Sequence, residues 1–194
     1  MKAEIDTTTD FGKLVHRMNR AYGCFLVWKY IRKSISIPEN GHEETERRVG
    51  IMNRYGGTFT GLLYAVENSF ITDLHKFFDK AKGSLRLQNL IQNLPEADKK
   101  EATGLLKTIE SEVKRIENLR HNFTAHEPAN PKEEKIFLLE VENVFGVVQQ
   151  VLNIISKSHG GTLFTWELWE SDSNTSFLRL LDDLELGYKT RTEN

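Results

Sequence analysis

Cysteine is nearly missing from this chain: Cys24 is the single one in 194 residues. That excludes an intrachain disulfide and any cysteine-built metal site, and it fits a reducing compartment. Proline occurs four times, at 38, 95, 128 and 131, which leaves long stretches free of helix breakers. No apolar run approaches the roughly 20 residues that span a bilayer. The first ten residues, Met1 to Asp10, are polar and acidic and lack the apolar core of a signal peptide. These absences predict a cytoplasmic, soluble protein with no membrane association. A strong charge of either sign is missing too. The net charge is -2, so no global basic field advertises nucleic acid, and any RNA contact must come from a local patch.

What is present is helical periodicity. At this length one compact domain is the default. A first segment, about 10 to 37, carries Phe11, Leu14, Val15, Met18, Tyr22, Phe25 and Leu26 on one face, with Asp10 as its N-cap. Pro38 to Gly41 breaks it. A second segment runs from about 43 to 80, interrupted by Gly56, Gly57 and Gly61. Gly83-Ser84 reads as a stop followed by the N-cap of a short helix to Leu94. A fourth segment starts at Pro95 and runs to about His126, where Pro128 forces an end. Asn130-Pro131 reads as the start of a fifth helix that closes at Gly160-Gly161. Residues 162 to 170 read as strand or helix, and 175 to 186 have helical spacing. The expected fold is an all-α antiparallel bundle of four to five long helices over 1–161, with a C-terminal extension over 162–194 packing on the bundle or on a second subunit.

The stretch Leu119-Arg120-His121-Asn122-Phe123-Thr124-Ala125-His126 stands out. The apolar stripe leading into it runs Leu106, Ile109, Val113, Ile116, and its next members are 120 and 123. Arg120 thus falls in a slot patterned for a buried aliphatic residue, where an unpaired charge costs several kcal/mol, roughly. A permanent cation six residues before a histidine supplies a donor for phosphate oxygens and a proton shuttle. Spacing alone says little. With eleven Arg and six His, about one chance match is expected, and Arg115 to His121 also fits. Arg115 lies beside the stripe and reads as a solvated charge. On an ideal helix six positions turn roughly 240°, so Arg120 and His126 converge only if the helix unwinds before His126, or if a second copy supplies one of them. The plain structural reading has His126 favoured by the helix dipole and Arg120 snorkelling from the core edge.

The run LRHNFTAH resembles the signature of the HEPN superfamily, and its wording resembles the abortive-infection AbiU-type branch. A second likeness lies upstream, in Leu74-His75-Lys76-Phe77-Phe78-Asp79 followed by Ser84-Leu85-Arg86-Leu87. The likeness covers roughly residues 10 to 158. It implies a metal-independent endoribonuclease, a toxin or defence effector, acting as a homodimer whose two motifs face one cleft. Arg120 and His126 would be catalytic, His121 would hold the phosphate or orient His126, Asn122 is a further substrate-binding candidate, and Asp79 would support Arg120 or cap a helix. No cofactor or metal is implied. RNA is the implied substrate, and a nucleotidyltransferase-type antitoxin is a candidate partner by family analogy.

Other signals are weaker. His121 and His126 are five apart, not the four that place two ligands on one helix face. The glycines from 56 to 61 lack the Lys-Ser/Thr ending of a phosphate loop and read as helix packing. Lys76, Lys80, Lys82 and Arg86 form a local basic patch near Asp79, either a solvated face or a set of phosphate contacts. Phe164, Trp166 and Trp169 read as a docking surface. The competing functional reading is a non-catalytic helical dimer that binds a nucleotide or a partner protein. A third is a purely structural helical protein.

Overall fold

Thr9, rather than Asp10, starts the first helix. Its hydroxyl accepts the Gly12 N–H at 3.0 Å and its carbonyl accepts the Lys13 N–H at 2.9 Å, the pattern of an N-cap. Asp10 is the first helical residue and pairs with Lys13. A Cβ at Gly12 would lie 1.9 Å from the Asp6 carbonyl oxygen, so only glycine lets the leader fold back over this turn.

The computed structural model describes residues 6–124, 137–161, 163–165 and 167–192. Among them the chain is all-α, with several long helices packed antiparallel: α1 (Asp10–Ser34), α2 (Ile37–Asn40), α3 (His42–Arg54), α4 (Gly56–Phe78), α5 (Leu87–Ile91), α6 (Glu96–Lys107), α7 (Glu110–Thr124), α8 (Leu138–Ser158) and α9 (Glu167–Thr192). Two expected long segments are each broken in two. The second breaks at Tyr55, whose N–H bonds the Met52 carbonyl before the chain restarts at the Gly56-Gly57 pair. The fourth breaks at Thr108, whose hydroxyl donates to the Leu105 carbonyl at 2.7 Å while its N–H makes a tight bond to the same oxygen. Such side-chain competition for a helix's own carbonyls is why threonine weakens a helix interior. The expected helix start at Asn130-Pro131 lies outside the described residues. The tail, open between strand and helix in the sequence, is helical from Glu167 onward.

The chain divides into two compact units, one of residues 1–22 with 68–165 and one of 23–67 with 166–194. In the first, α8 packs against α5, α6 and α7. Val141, Val144, Phe145, Val148, Val151, Leu152 and Ile155 are all buried, a 3-and-4 spacing that turns one continuous face inward. Burying each such side chain is worth about 1.5–3 kcal/mol. Over 21 residues α8 has the length and hydropathy to cross a membrane. Its apolar face is spent on its neighbours, which marks it as a core helix. Beyond α8, Phe164 docks back on it: Asn153 accepts the Phe164 N–H at 2.7 Å and donates to its carbonyl at 3.1 Å, and the Phe164 ring meets Phe11. The side chains of Trp166 and Trp169 lie outside the described residues.

In the second unit α9 is held at both ends. The Glu170 carboxylate receives the buried Lys29 ammonium, and the Glu170 carbonyl accepts the Tyr30 hydroxyl at 3.0 Å. Further along, Arg47 of α3 bridges Glu44 on its own helix to Asp182 and Glu185 on α9, and Arg54 lies over the Tyr188 ring.

Candidate functional site

Helix α4 ends at Phe78, two residues earlier than the sequence pattern suggests, and a tight turn follows. The Asp79 carboxylate accepts the Ala81 N–H at 2.9 Å, and Gly83 takes a positive φ of 83°. Ser84 is not the cap of the next helix, which begins after Arg86. Its hydroxyl instead points back to the carbonyls of Asp79 and Ala81, both at 2.8 Å. The turn is fastened from α1. Arg17 donates to the Lys76 carbonyl at 3.3 Å and to the Leu85 carbonyl at 3.0 Å, and its guanidinium covers the Phe77 ring. Burial lowers the pKa of Arg17 from its ordinary value, against the pull of Asp73 and with Arg20 adding to it. Next to it, Arg20 grips the buried Asp73 with two parallel bonds of 2.6 Å.

This turn forms one wall of a groove of about 710 Å³ whose other walls are α6 and α7. Phe77, Phe78, Leu87, Leu106 and Val113 give it an apolar floor. Lys80, Arg86, Lys107 and Lys114 bring positive charge to it, and Asp79, Glu110 and Glu117 bring negative charge. The buried His75 also lines it. The 74–87 stretch therefore faces, across the groove, the part of α7 that precedes Leu119.

Arg120 lies on α7 one turn beyond Glu117, about 4.5 Å further along the axis and on the same side of the helix. It is half-buried, with its Nε withdrawn from solvent. Ile109, just before α7, and Ile116 and Leu119 on it are buried, the last 6% exposed. Arg120 continues that line and is half-buried, as is Val113, which lines the groove. Arg115 is not a solvated charge but a tie between helices. It pairs with Glu140 of α8, whose other oxygen accepts the Phe137 N–H at 3.1 Å and caps that helix.

Of the remaining candidates, Asp79 lines the groove while its carboxylate closes the turn. His121 and Asn122 belong to the regular part of α7, with side chains outside the described residues. His126 lies outside the described residues altogether. Among the described residues no three His, Cys, Asp or Glu side chains are grouped so as to hold a metal ion. The groove's α6 and α7 contributions, Lys107 and Lys114, were not singled out from the sequence. They stand seven residues apart, one on α6 and one on α7, and no motif marks either of them.

No curated protein and no solved structure shows significant similarity to the chain. The sequence pattern of the HEPN AbiU2 family matches residues 9–180, from the start of α1 well into α9. That span contains the groove and both likeness segments, and the chain belongs to the AbiU2 branch of the HEPN superfamily.

Proposed function

We propose that the chain is an endoribonuclease of abortive-infection type that cuts RNA with its own side chains. Its family membership is consistent with an abortive-infection HEPN protein. The observation that carries the reading is the half-buried Arg120, set on the α7 face that continues from the groove and followed six residues later by His126. In the proposed reaction the RNA 2′-hydroxyl loses its proton and its oxygen attacks the adjacent phosphorus. The bond to the 5′-oxygen breaks, that oxygen takes up a proton, and a 2′,3′-cyclic phosphate and a 5′-hydroxyl result. His126 takes or gives the proton, a task its ordinary pKa near 6.5 suits. Arg120 donates two parallel bonds to the phosphate oxygens as charge builds on them. His121 and Asn122 hold the phosphate.

Helix α7 is regular to Thr124, which leaves two residues in which the roughly 240° divergence between Arg120 and His126 must be undone. A homodimer in which each copy supplies one of the pair removes that demand. A nucleotidyltransferase-type antitoxin would be the partner that silences it.

The test is incubation of purified protein with tRNA and structured RNA at pH 7 in excess chelator. Arg120→Ala and His126→Ala should each lower cleavage by about 100-fold or more. Cleavage that is absent from the parent protein, or unchanged in both variants, defeats the reading. The competing reading, a helical dimer that binds a nucleotide or protein without cutting, is favoured by the net charge of -2. It predicts saturable nucleotide binding by calorimetry with no new RNA ends.

A further inference from the structure

We infer that the groove between the 79–86 turn, α6 and α7 seats an unpaired RNA segment, one base on its floor and the strand's phosphates along its cations. This rests on the endoribonuclease reading and adds to it the form of RNA admitted. The volume, about 710 Å³, is that of a site for one or two nucleotides rather than a duplex. Phe78 is half-buried, as are Leu106 and Val113, so an apolar platform is open to a flat ring. Unpaired bases are recognised by stacking on such platforms, whereas bases within an A-form helix are not free to stack there.

The charges suit a phosphate backbone. Lys80, Arg86, Lys107 and Lys114 make no salt bridge among the described residues, and Arg86 is held only by the Asn89 amide oxygen at 3.1 Å. The Asp79 carboxylate is engaged by the Ala81 N–H. Glu110 and Glu117 stand on the same helix as Lys114. Four cations set against three carboxylates leave a net positive charge beside the apolar floor, where phosphates of a bound strand can lie. From Lys114 the α7 face passes Glu117 to Arg120, so a strand lying in the groove is led to the proposed scissile position.

The experiment is fluorescence anisotropy with the full chain carrying His126→Ala, so that the strand stays whole. The probe is a labelled, unstructured RNA of about ten nucleotides, long enough for a single-strand site, alone and annealed to its complement. The single strand should bind at least tenfold, roughly, more tightly than the duplex. Lys107→Glu with Lys114→Glu, both exposed and so harmless to packing, should weaken it about tenfold. That pair should also flatten the log–log salt dependence by roughly 1.4, at roughly 0.7 per phosphate contact on a single strand. Phe78→Ala, with helicity checked by circular dichroism, should cost about tenfold. Equal affinity for duplex and single strand, or unchanged binding in the lysine pair, overturns the inference. The two readings fail separately. Strand binding in the groove with no cutting by the parent protein sinks the nuclease alone, whereas cutting with the lysine pair indifferent sinks the groove alone.

Discussion

Arg20 and Asp73 show how much one residue can decide. Asp73 is 3% exposed at its side chain and holds Arg20 through two oxygens, with Lys76 at 3.7 Å. Removing a partner from a buried carboxylate is costlier than never having had the pair, because the charge left behind has lost its water. Arg20→Ala should therefore destabilise the fold by about 1–2 kcal/mol, since Arg20 is half-exposed and Lys76 stays beside the carboxylate, read as a lower midpoint in urea, while Arg20→Ala with Asp73→Asn should recover most of the loss. A single variant within 0.5 kcal/mol, roughly, of the parent would contradict this account. At the same scale the two Arg–His pairs of the sequence come apart. Arg115 is consumed by Glu140, whereas Arg120 is half-buried in line with the buried Ile109 and Ile116. Glu140 stands 25 residues from Arg115, so no local pattern announces that pair.

The elements were legible where apolar spacing was regular. Leu14, Val15, Met18, Phe25 and Leu26 of α1 and Val141, Val144, Phe145, Val148, Val151, Leu152 and Ile155 of α8 are buried as the periodicity predicts, whereas Tyr22 is half-buried and Phe137, just before α8, is exposed. Less visible was what ends a helix. The stop of α4 at Phe78 depends on Arg17 reaching two carbonyls from another helix and on Asp79 and Ser84 closing a turn, none of which has a local pattern. Nor does the docking of α9, which depends on charge. The Arg47 guanidinium, with the Arg48 contact beside it, holds Glu44 down to a pKa of about 2, and Arg47 and then Lys189 lower the Glu185 carboxyl as well. Both folded pKa values lie below the unfolded ones, so their stabilisation is full above pH 4.5, roughly, and is lost as pH falls toward 2. Urea midpoints should drop across that window, and Arg47→Met should flatten the drop. An equal slope in the variant would assign the acid sensitivity elsewhere. The exposed carboxylates on α9 keep the effect modest.

For the whole molecule the decisive question is whether the proposed site closes within one copy or across two. Mixing Arg120→Ala with His126→Ala answers it without a structure of the complex. If each site takes Arg120 from one copy and His126 from its partner, half of the randomly mixed dimers carry one intact site of two. About a quarter of the parent activity should then return. If both side chains come from the same copy, the mixture stays as inactive as its components. The family was within reach of the sequence because LRHNFTAH is contiguous. The groove was not, because its walls are 75–88, 103–107 and 110–117, joined only by folding.

Helix α8 carries one more consequence, and it concerns the order of synthesis. A 21-residue helix with one continuous apolar face and this hydropathy is, while uncovered, a target for chaperones as it leaves the ribosome. Here α5, α6 and α7, the helices that cover it, are all made before it. The stretch enters a cradle already waiting, and a circular permutant that translates α8 ahead of α5 should lose soluble yield even though its finished fold is unchanged.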